Sequence, residues 1–295
     1  MNSLIRKQSL RQRWQAYKRS PFSLFLYLVV HAAAILTCLV FFFLIAYILM
    51  KGLPHLRPDL FAWNYTTENV SMLPAIVNTV VITVLSLLIA APLGIFAAIY
   101  LVEYARRGNK VVGLVRITAE TLAGIPSIVY GLFGMLFFVI ALKWDYSILA
   151  GAFTLAIMIL PVIMRTTEEA LQAVPDSYRE GSFGLGAGRL RTVFRIVLPS
   201  AVPGILAGVI LAIGRIVGET AALIYTAGTA TQVPDSLMGS GRTLAVHMYS
   251  LSREGLHIDQ AYATAVVLLI IVVGINALSA FIAKRLTKGN GKGER

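Results

Sequence analysis

Six stretches of this 295-residue chain, roughly 23–50, 73–102, 115–142, 147–166, 200–226 and 260–283, are predominantly apolar. Each is near the ~20 residues that a helix needs to cross ~30 Å of hydrocarbon. In that medium every backbone polar group must be satisfied within its own segment, so these stretches have to be helices. Composition agrees: the chain is 57% hydrophobic and 14% charged, with mean hydropathy +0.76, which excludes an ordinary soluble domain. The prediction is an all-α, polytopic bundle of six transmembrane helices, with a membrane domain over 23–283 between basic segments at 1–22 and 284–295. Pro92, Pro126, Pro161 and Pro203 fall inside four of the stretches. A bundle tolerates such prolines when neighbouring groups satisfy the freed carbonyls, so these spans are expected to be kinked and unbroken.

Orientation follows from basic residues in the flanks. The first twenty residues carry Arg6, Lys7, Arg11, Arg13, Lys18 and Arg19 with no acid, and the tail carries Lys284, Arg285, Lys288, Lys292 and Arg295. Both termini are therefore predicted on the cytoplasmic side, as an even number of crossings requires. Arg106, Arg107 and Lys110 fall on that side, as do Arg179, Arg189, Arg191 and Arg195. The net charge of +12 is then mostly topology, with membrane lipid as the partner and no nucleic acid, because charges beside spans leave no fold for reading bases. The first stretch is far longer than the h-region of a signal peptide and has no small-residue cleavage pattern behind it, which predicts a retained anchor.

The longest cytoplasmic connection, 167–199, reads as a helix–turn–helix knuckle. Ser177 and Glu180 have the spacing of a capping box, Gly184, Gly186 and Gly188 supply a stop, and a second helix resumes through Leu190, Val193 and Phe194. Phe183 and Leu185 then form an apolar tip for a groove on a cytoplasmic partner. The alternative is an amphipathic connector lying on anionic lipid. The run GLGAG at 184–188 has neither a preceding strand nor a following Lys-Ser/Thr, so it is not a phosphate-binding loop, and energy must come from another subunit or an ion gradient. Cys38 is alone, and His31, His55, His247 and His257 lack ligand spacing, so no metal or cofactor is expected in this chain.

Charges inside a membrane are costly and mark function by default. Arg215 and Glu219 stand near the middle of the fifth stretch, four apart and so on one helical face, where they are placed to pair. Arg215 offers a guanidinium to an oxyanion and Glu219 tempers the affinity. Arg116 and Glu120 at the start of the third stretch, and Arg165, Glu168 and Glu169 at the end of the fourth, are secondary pathway or gate candidates. Gly204, Gly208, Gly214 and Gly218 give two GxxxG spacings that predict close helix packing.

The run from Glu180 to Pro199 also carries a resemblance. It holds an acid at 180, small residues at Gly181 and Ser182, Gly186, and then Ile196, Leu198 and Pro199 at the spacing of the cytoplasmic EAA loop of ATP-binding-cassette (ABC) importer permeases. Gly181 and Ser182 replace that motif's alanines. Together with APLGIFAAIYLVEYA (91–105), LAGIPSIVYGLFG (122–134) and GILAGVILAIGRIVGETAAL (204–223), the chain is similar over roughly 73–226 to permeases of the phosphate-specific transport (Pst) system, and most to their A-type subunit. The resemblance implies a type I importer fold in a bacterial or archaeal cytoplasmic (inner) membrane. It implies ATP-driven import of inorganic phosphate and no bond chemistry in this chain. The partners it implies are a C-type permease, two copies of an ATP-binding subunit that hold the ATP and Mg, and an extracytoplasmic phosphate-binding protein. Glu180, Gly181, Ser182, Phe183, Leu185, Gly186, Ile196, Leu198 and Pro199 would couple to the ATPase, while Arg215, Glu219, Arg165, Glu168 and Glu120 would line the substrate path. The residues alone also admit an ABC permease for another small oxyanion or a proton-coupled secondary transporter that uses Glu219 or Glu120. A membrane phosphatase is a weaker alternative, since no His or Ser nucleophile converges on Arg215.

Overall fold

The computed structural model describes residues 21–106 and 108–290, and all regular elements among them are helical. The basic residues assigned to 1–20, Arg107, Lys292 and Arg295 lie outside the described residues. The chain divides into two compact units, residues 1–51 and 52–295. The first contains nearly all of α1 (Pro21–Gly52), apolar on every side, with exposed Phe25, Val30, Leu36 and Phe42. A helix with no polar face to offer water suits a hydrocarbon surround.

The second unit opens with two tight turns, Leu53–His55 and Pro58–Phe61, and then α2 (Leu73–Ile99), which widens into a π-turn over Tyr100–Tyr104. There follow α3 (Lys110–Ala123), α4 (Ser127–Gly134, continued to Ala141 by π-turns), α5 (Ile148–Gln172) and α6 (Asp176–Gly184). A short α7 (Arg189–Thr192) runs through a π-turn at Val193–Val197 into α8 (Leu198–Val217). The last elements are α9 (Ala221–Ile224), α10 (Leu244–Glu254) and α11 (Ile258–Asn290), so α11 continues past the expected boundary at 283.

Among the described residues five helices are long and apolar enough to cross a membrane, counting α7 and α8 as one, and α3 with α4 makes a sixth only as a pair bent by 100°. The expectation of unbroken spans therefore holds at Pro92, Pro161 and Pro203, which remain inside helices, and fails at Pro126. Pro126 has no N–H to donate to Leu122 and pushes Ile125 out of the helical region, directly after Gly124. The Leu122 carbonyl instead accepts from Ile125 N at 3.1 Å and from the Tyr130 hydroxyl at 2.7 Å, so the break is itself stabilised. The fifth stretch differs as well: its helix stops at Val217, and the chain turns at Gly218–Thr220 before the single turn of α9.

Helix α5 is the centre of the unit. Its most apolar window is 67% buried, against 28% for α2, 28% for α7–α8 and 22% for α11, so only α5 is enclosed by this chain. Small residues bring its neighbours close. Gly94 of α2 lies against Ile163, and a Cβ on Gly204 of α8 would stand 2.6 Å from the Ala170 Cβ, while Gly208 meets Thr166 directly. The Gly204/Gly208 reading thus holds, but Gly214 and Gly218 face no neighbouring helix. At the end of the bundle where α2 and α5 begin, the segment before α10 is tied down by Ile148 N to Gly239 O at 2.9 Å, Asn78 Nδ2 to Arg242 O at 3.3 Å and Leu244 N to Thr79 Oγ1 at 2.9 Å. Helices α6 and α7 sit at the opposite end.

Candidate functional site: an interrupted helix and a coupling knuckle

The antiparallel register set by Gly204 on Ala170 and Gly208 on Thr166 carries Arg215 to the level of Ile159, halfway along α5. Arg215 therefore lies near mid-bundle, as its sequence position suggests, but in the last turn of a helix that ends there. The C-terminal end of a helix favours a cation. Arg215 is partly exposed, and among the described residues no carboxylate or acceptor pairs with it. Glu219 is buried and turned elsewhere: its Oε1 accepts from Ala222 N at 3.1 Å and holds the first turn of α9. The four-residue pairing rule fails between Arg215 and Glu219 because the helix stops between them.

The two interrupted helices meet. A Cβ on Gly131 of α4 would stand 2.8 Å from the Ala222 Cα of α9. Irregular backbone at membrane depth persists where protein or a water-filled path surrounds it, and broken helices at mid-depth commonly carry transported ions.

The remaining pathway candidates gather toward the knuckle end, around a cleft of about 470 Å³ between α3, α5 and α8. Arg116 Nη2 pairs with Glu168 Oε1 at 2.6 Å, and Gln172 Nε2 donates to the same oxygen at 3.0 Å. Arg165 reaches Glu169 at 3.1 Å and Glu120 at 3.8 Å, with all three side chains more than half exposed. Two arginines and three glutamates thus pair around the cleft and leave it one negative charge in excess, whereas Arg215 is unpaired.

In the knuckle, α6 starts after Pro175 with no side-chain cap, so the expected capping box does not form. Ser177 lies inside the helix, Glu180 is exposed, and Asp176 in the first turn pairs with Arg179 at 3.2 Å. The turn behaves as the glycines predict: α6 ends at Gly184, and Gly186 has φ +79°, which only glycine adopts freely. Leu185 is 91% exposed, Phe183 is exposed beside it, and Gly181 faces open space. Ser182 is buried and shares a 2.8 Å hydrogen bond with Thr192, fastening α6 to α7. Ile196 and Leu198 are half-buried, Pro199 is exposed, and Val193 and Val197 carry the buried face.

The sequence reading missed what anchors this knuckle. Arg179 grips the buried Glu103 carboxylate through Nη2 at 2.7 Å and Nε at 3.2 Å, and its remaining N–H groups donate to Leu171 O at 2.9 Å and Val174 O at 2.8 Å. Arg189 also stacks over the Tyr104 ring at 5.3 Å. One guanidinium thereby joins the ends of α2 and α5 to α6. An acid at the end of an apolar run was the available signal at Glu103, but its partner lies 76 residues away. Beside this anchor a groove of about 1250 Å³ runs between the α2–α3 connection and α6, bordered by Tyr104, Lys110, Phe183 and Arg189. Among the described residues no three His, Cys, Asp or Glu gather in a way that could hold a metal.

Residues 90–290 match the family described as binding-protein-dependent transport system inner membrane component. The chain is 35% identical over 271 residues to the probable ABC transporter permease protein YqgI of Bacillus subtilis (strain 168), covering 83% of this chain and 90% of that protein. It is 35% identical over 243 residues to the phosphate transport system permease protein PstA of Pasteurella multocida (strain Pm70), covering 80% and 86%. Among solved structures, a bacterial alginate ABC transporter in complex with an alginate pentasaccharide-bound periplasmic protein superposes with TM-score 0.68 at 18% identity, over 93% of this chain and 98% of that one. The MetNI methionine ABC transporter gives 0.56 at 21% identity, over 71% and 91%. These two structures speak to the fold alone. The multi-pass helical fold, the matched span and the two relatives agree: the chain belongs to the family of binding-protein-dependent transport system inner membrane components, as a permease subunit of an ABC importer.

Proposed function

We propose that this chain is the A-type permease of an ATP-driven importer of inorganic phosphate, forming half of the translocation path in a bacterial cytoplasmic membrane with both termini inside. The observation that carries the reading is Arg215, an unpaired guanidinium at the stop of an interrupted helix halfway along the bundle. A phosphate passing through low-dielectric surroundings needs compensating positive charge, and a planar fork meets two of its oxygens. The likeness to phosphate transport permeases of Pasteurella multocida and Mycobacterium leprae supports the choice of anion.

A C-type permease supplies the other half, and a phosphate-binding protein delivers cargo at the end where α2 and α5 begin. Two copies of an ATP-binding subunit, which hold the ATP and Mg, dock the apolar tip of Phe183 and Leu185. Their closure is passed through α6 and the Arg179–Glu103 anchor to α2 and α5, rocking the spans about Arg215. Phosphate then leaves past Glu219 through the cleft of Glu120, Arg165 and Glu168, where acids outnumber arginines three to two and no spare cation holds it. A proton relay fits less well, because Glu219 is engaged with Ala222 N and Glu120 lies exposed near Arg165.

The test is radiolabelled phosphate uptake into membrane vesicles at matched protein level. Arg215→Gln abolishes uptake while the chain still inserts and assembles, Arg215→Lys rescues poorly, and Glu219→Gln impairs less. Uptake by Arg215→Gln at the unmodified rate would show that the charge is not in the path.

A further inference from the structure

Among the described residues six buried side-chain polar atoms have no hydrogen-bond partner, and five of them lie on three residues at the start of α10: Arg242 Nε and Nη2, Thr243 Oγ1, and His247 Nδ1 and Nε2. Native interiors satisfy nearly all such groups, so a cluster of this kind asks for an explanation. Arg242 is only 3% exposed, and no carboxylate of the described residues pairs with it. Thr243 is the N-cap of α10, yet its side chain caps nothing. His247 stands four residues on, along the same face. The Tyr65 ring covers the guanidinium at 4.8 Å and meets the His247 ring edge-on at 6.3 Å.

These groups share one chemistry. Arginine keeps its charge when buried, and a buried unpaired charge is strongly unfavourable, which the facing Tyr65 ring only partly offsets. His247 stays neutral at ordinary pH, held down to about 3 by burial and by the Arg242 charge. The Val70 backbone lies near its ring but falls short of hydrogen-bond geometry. A neutral imidazole and a hydroxyl each have an N–H or O–H to give. Donors gathered on a fixed positive charge at the positive end of an 11-residue helix are the chemistry that holds an anion. The unpartnered pair Nε and Nη2 lies along one edge of the guanidinium, and two parallel donors suit two oxygens better than a single halide sphere. In this same protein that edge of Arg179 holds the Glu103 carboxylate.

The cover has a means of moving. Tyr65 stands on a loop knotted through Asn69, which accepts from Thr66 N at 2.9 Å and Ser71 N at 3.0 Å. The loop passes through Val70, buried at φ +46°, a conformation that a β-branched residue adopts only under strain. That strain is released if the loop rearranges.

We propose that Arg242, Thr243 and His247 form a second oxyanion site, covered by Tyr65 at the end of the bundle where α2 and α5 begin, which receives inorganic phosphate before Arg215 does. The choice of phosphate rests on the importer reading above; the site rests on its own geometry.

The experiment uses the full-length protein in lipid nanodiscs and follows phenylglyoxal modification of Arg242 by peptide mass spectrometry, in phosphate, sulfate or chloride at equal ionic strength. Tyr65→Ala uncovers the arginine and speeds its modification. Phosphate then slows the reaction about tenfold, as expected for a charge-assisted pair of hydrogen bonds, and chloride does not. In an Arg215→Gln background phosphate still raises the melting temperature, and adding Arg242→Gln removes the rise. Modification unslowed by either oxyanion overturns the site and leaves the Arg215 reading to its uptake test. Slowing by sulfate alone overturns phosphate as the ligand of this site and leaves the Arg215 reading to its uptake test. Slowing only when the partner permease is added assigns the site to a carboxylate of that chain and overturns the proposal.

Discussion

Replacing Arg179 with methionine removes a guanidinium that is 15% exposed from a carboxylate that is 8% exposed. The Glu103 charge is then left buried without its cation, and the Leu171 and Val174 carbonyls lose donors at 2.9 and 2.8 Å. Breaking a buried pair from one side costs about 3–5 kcal/mol, whereas replacing both partners with apolar residues of similar volume is close to neutral. Arg179→Met and Glu103→Leu should therefore each destabilise by roughly that amount, and the double variant should recover most of it, giving a coupling energy of about 3 kcal/mol. Denaturant unfolding in mixed micelles, run as a double-mutant cycle, measures it. ATP-driven uptake adds a second readout: the double variant regains stability but not transport, because α6 is no longer gripped from α2. A loss below about 1 kcal/mol for Arg179→Met, the value of an exposed ion pair, would refute the claim that this pair anchors the knuckle.

At Gly186 a Cβ would meet nothing, so Gly186→Val acts through its positive φ alone, straining the turn by about 1–3 kcal/mol while leaving the spans inserted. ATPase assembly or ATP-driven uptake is lost, whereas Gly181→Ala, on open helix, keeps both; normal uptake by Gly186→Val counts against docking through this turn. His247 is held neutral down to about pH 3 against an ordinary value of 6.5, so below 6.5 the unfolded chain binds a proton that the folded chain refuses. Stability is full above that value and falls toward pH 3 by at most ~1.4 kcal/mol per unit, and His247→Gln flattens the slope; thermal unfolding from about pH 7 to about pH 4 reads it, and an unchanged slope contradicts the account. Reporter fusions after residues 108 and 190 report a cytoplasmic location and those after 60 and 245 an external one, and an external signal at 190 overturns the orientation.

What could be read from residues alone was whatever depends on neighbours along the chain. Hydrocarbon-length apolar runs placed α1, α2, α5, α8 and α11, the Gly-rich turn announced the end of α6, and Gly204 with Gly208 foretold a close helix contact. Depth was legible too, since Arg215 lies near mid-bundle, as its place in the fifth stretch implies. Tertiary structure decided the rest, because the deciding partners are remote. Pro126 breaks its helix where Pro92, Pro161 and Pro203 do not, and the broken end is held by Tyr130 reaching back to Leu122. Glu219 turns from Arg215 to α9 because the helix ends at Val217, which no periodicity announces. Arg179 and Glu103 are 76 residues apart and 2.7 Å apart in space, and Arg242 is buried beside a tyrosine 177 positions earlier in the chain. A sequence shows which groups are charged; only the packed chain shows which charges are answered, because burial and pairing are properties of distance in space.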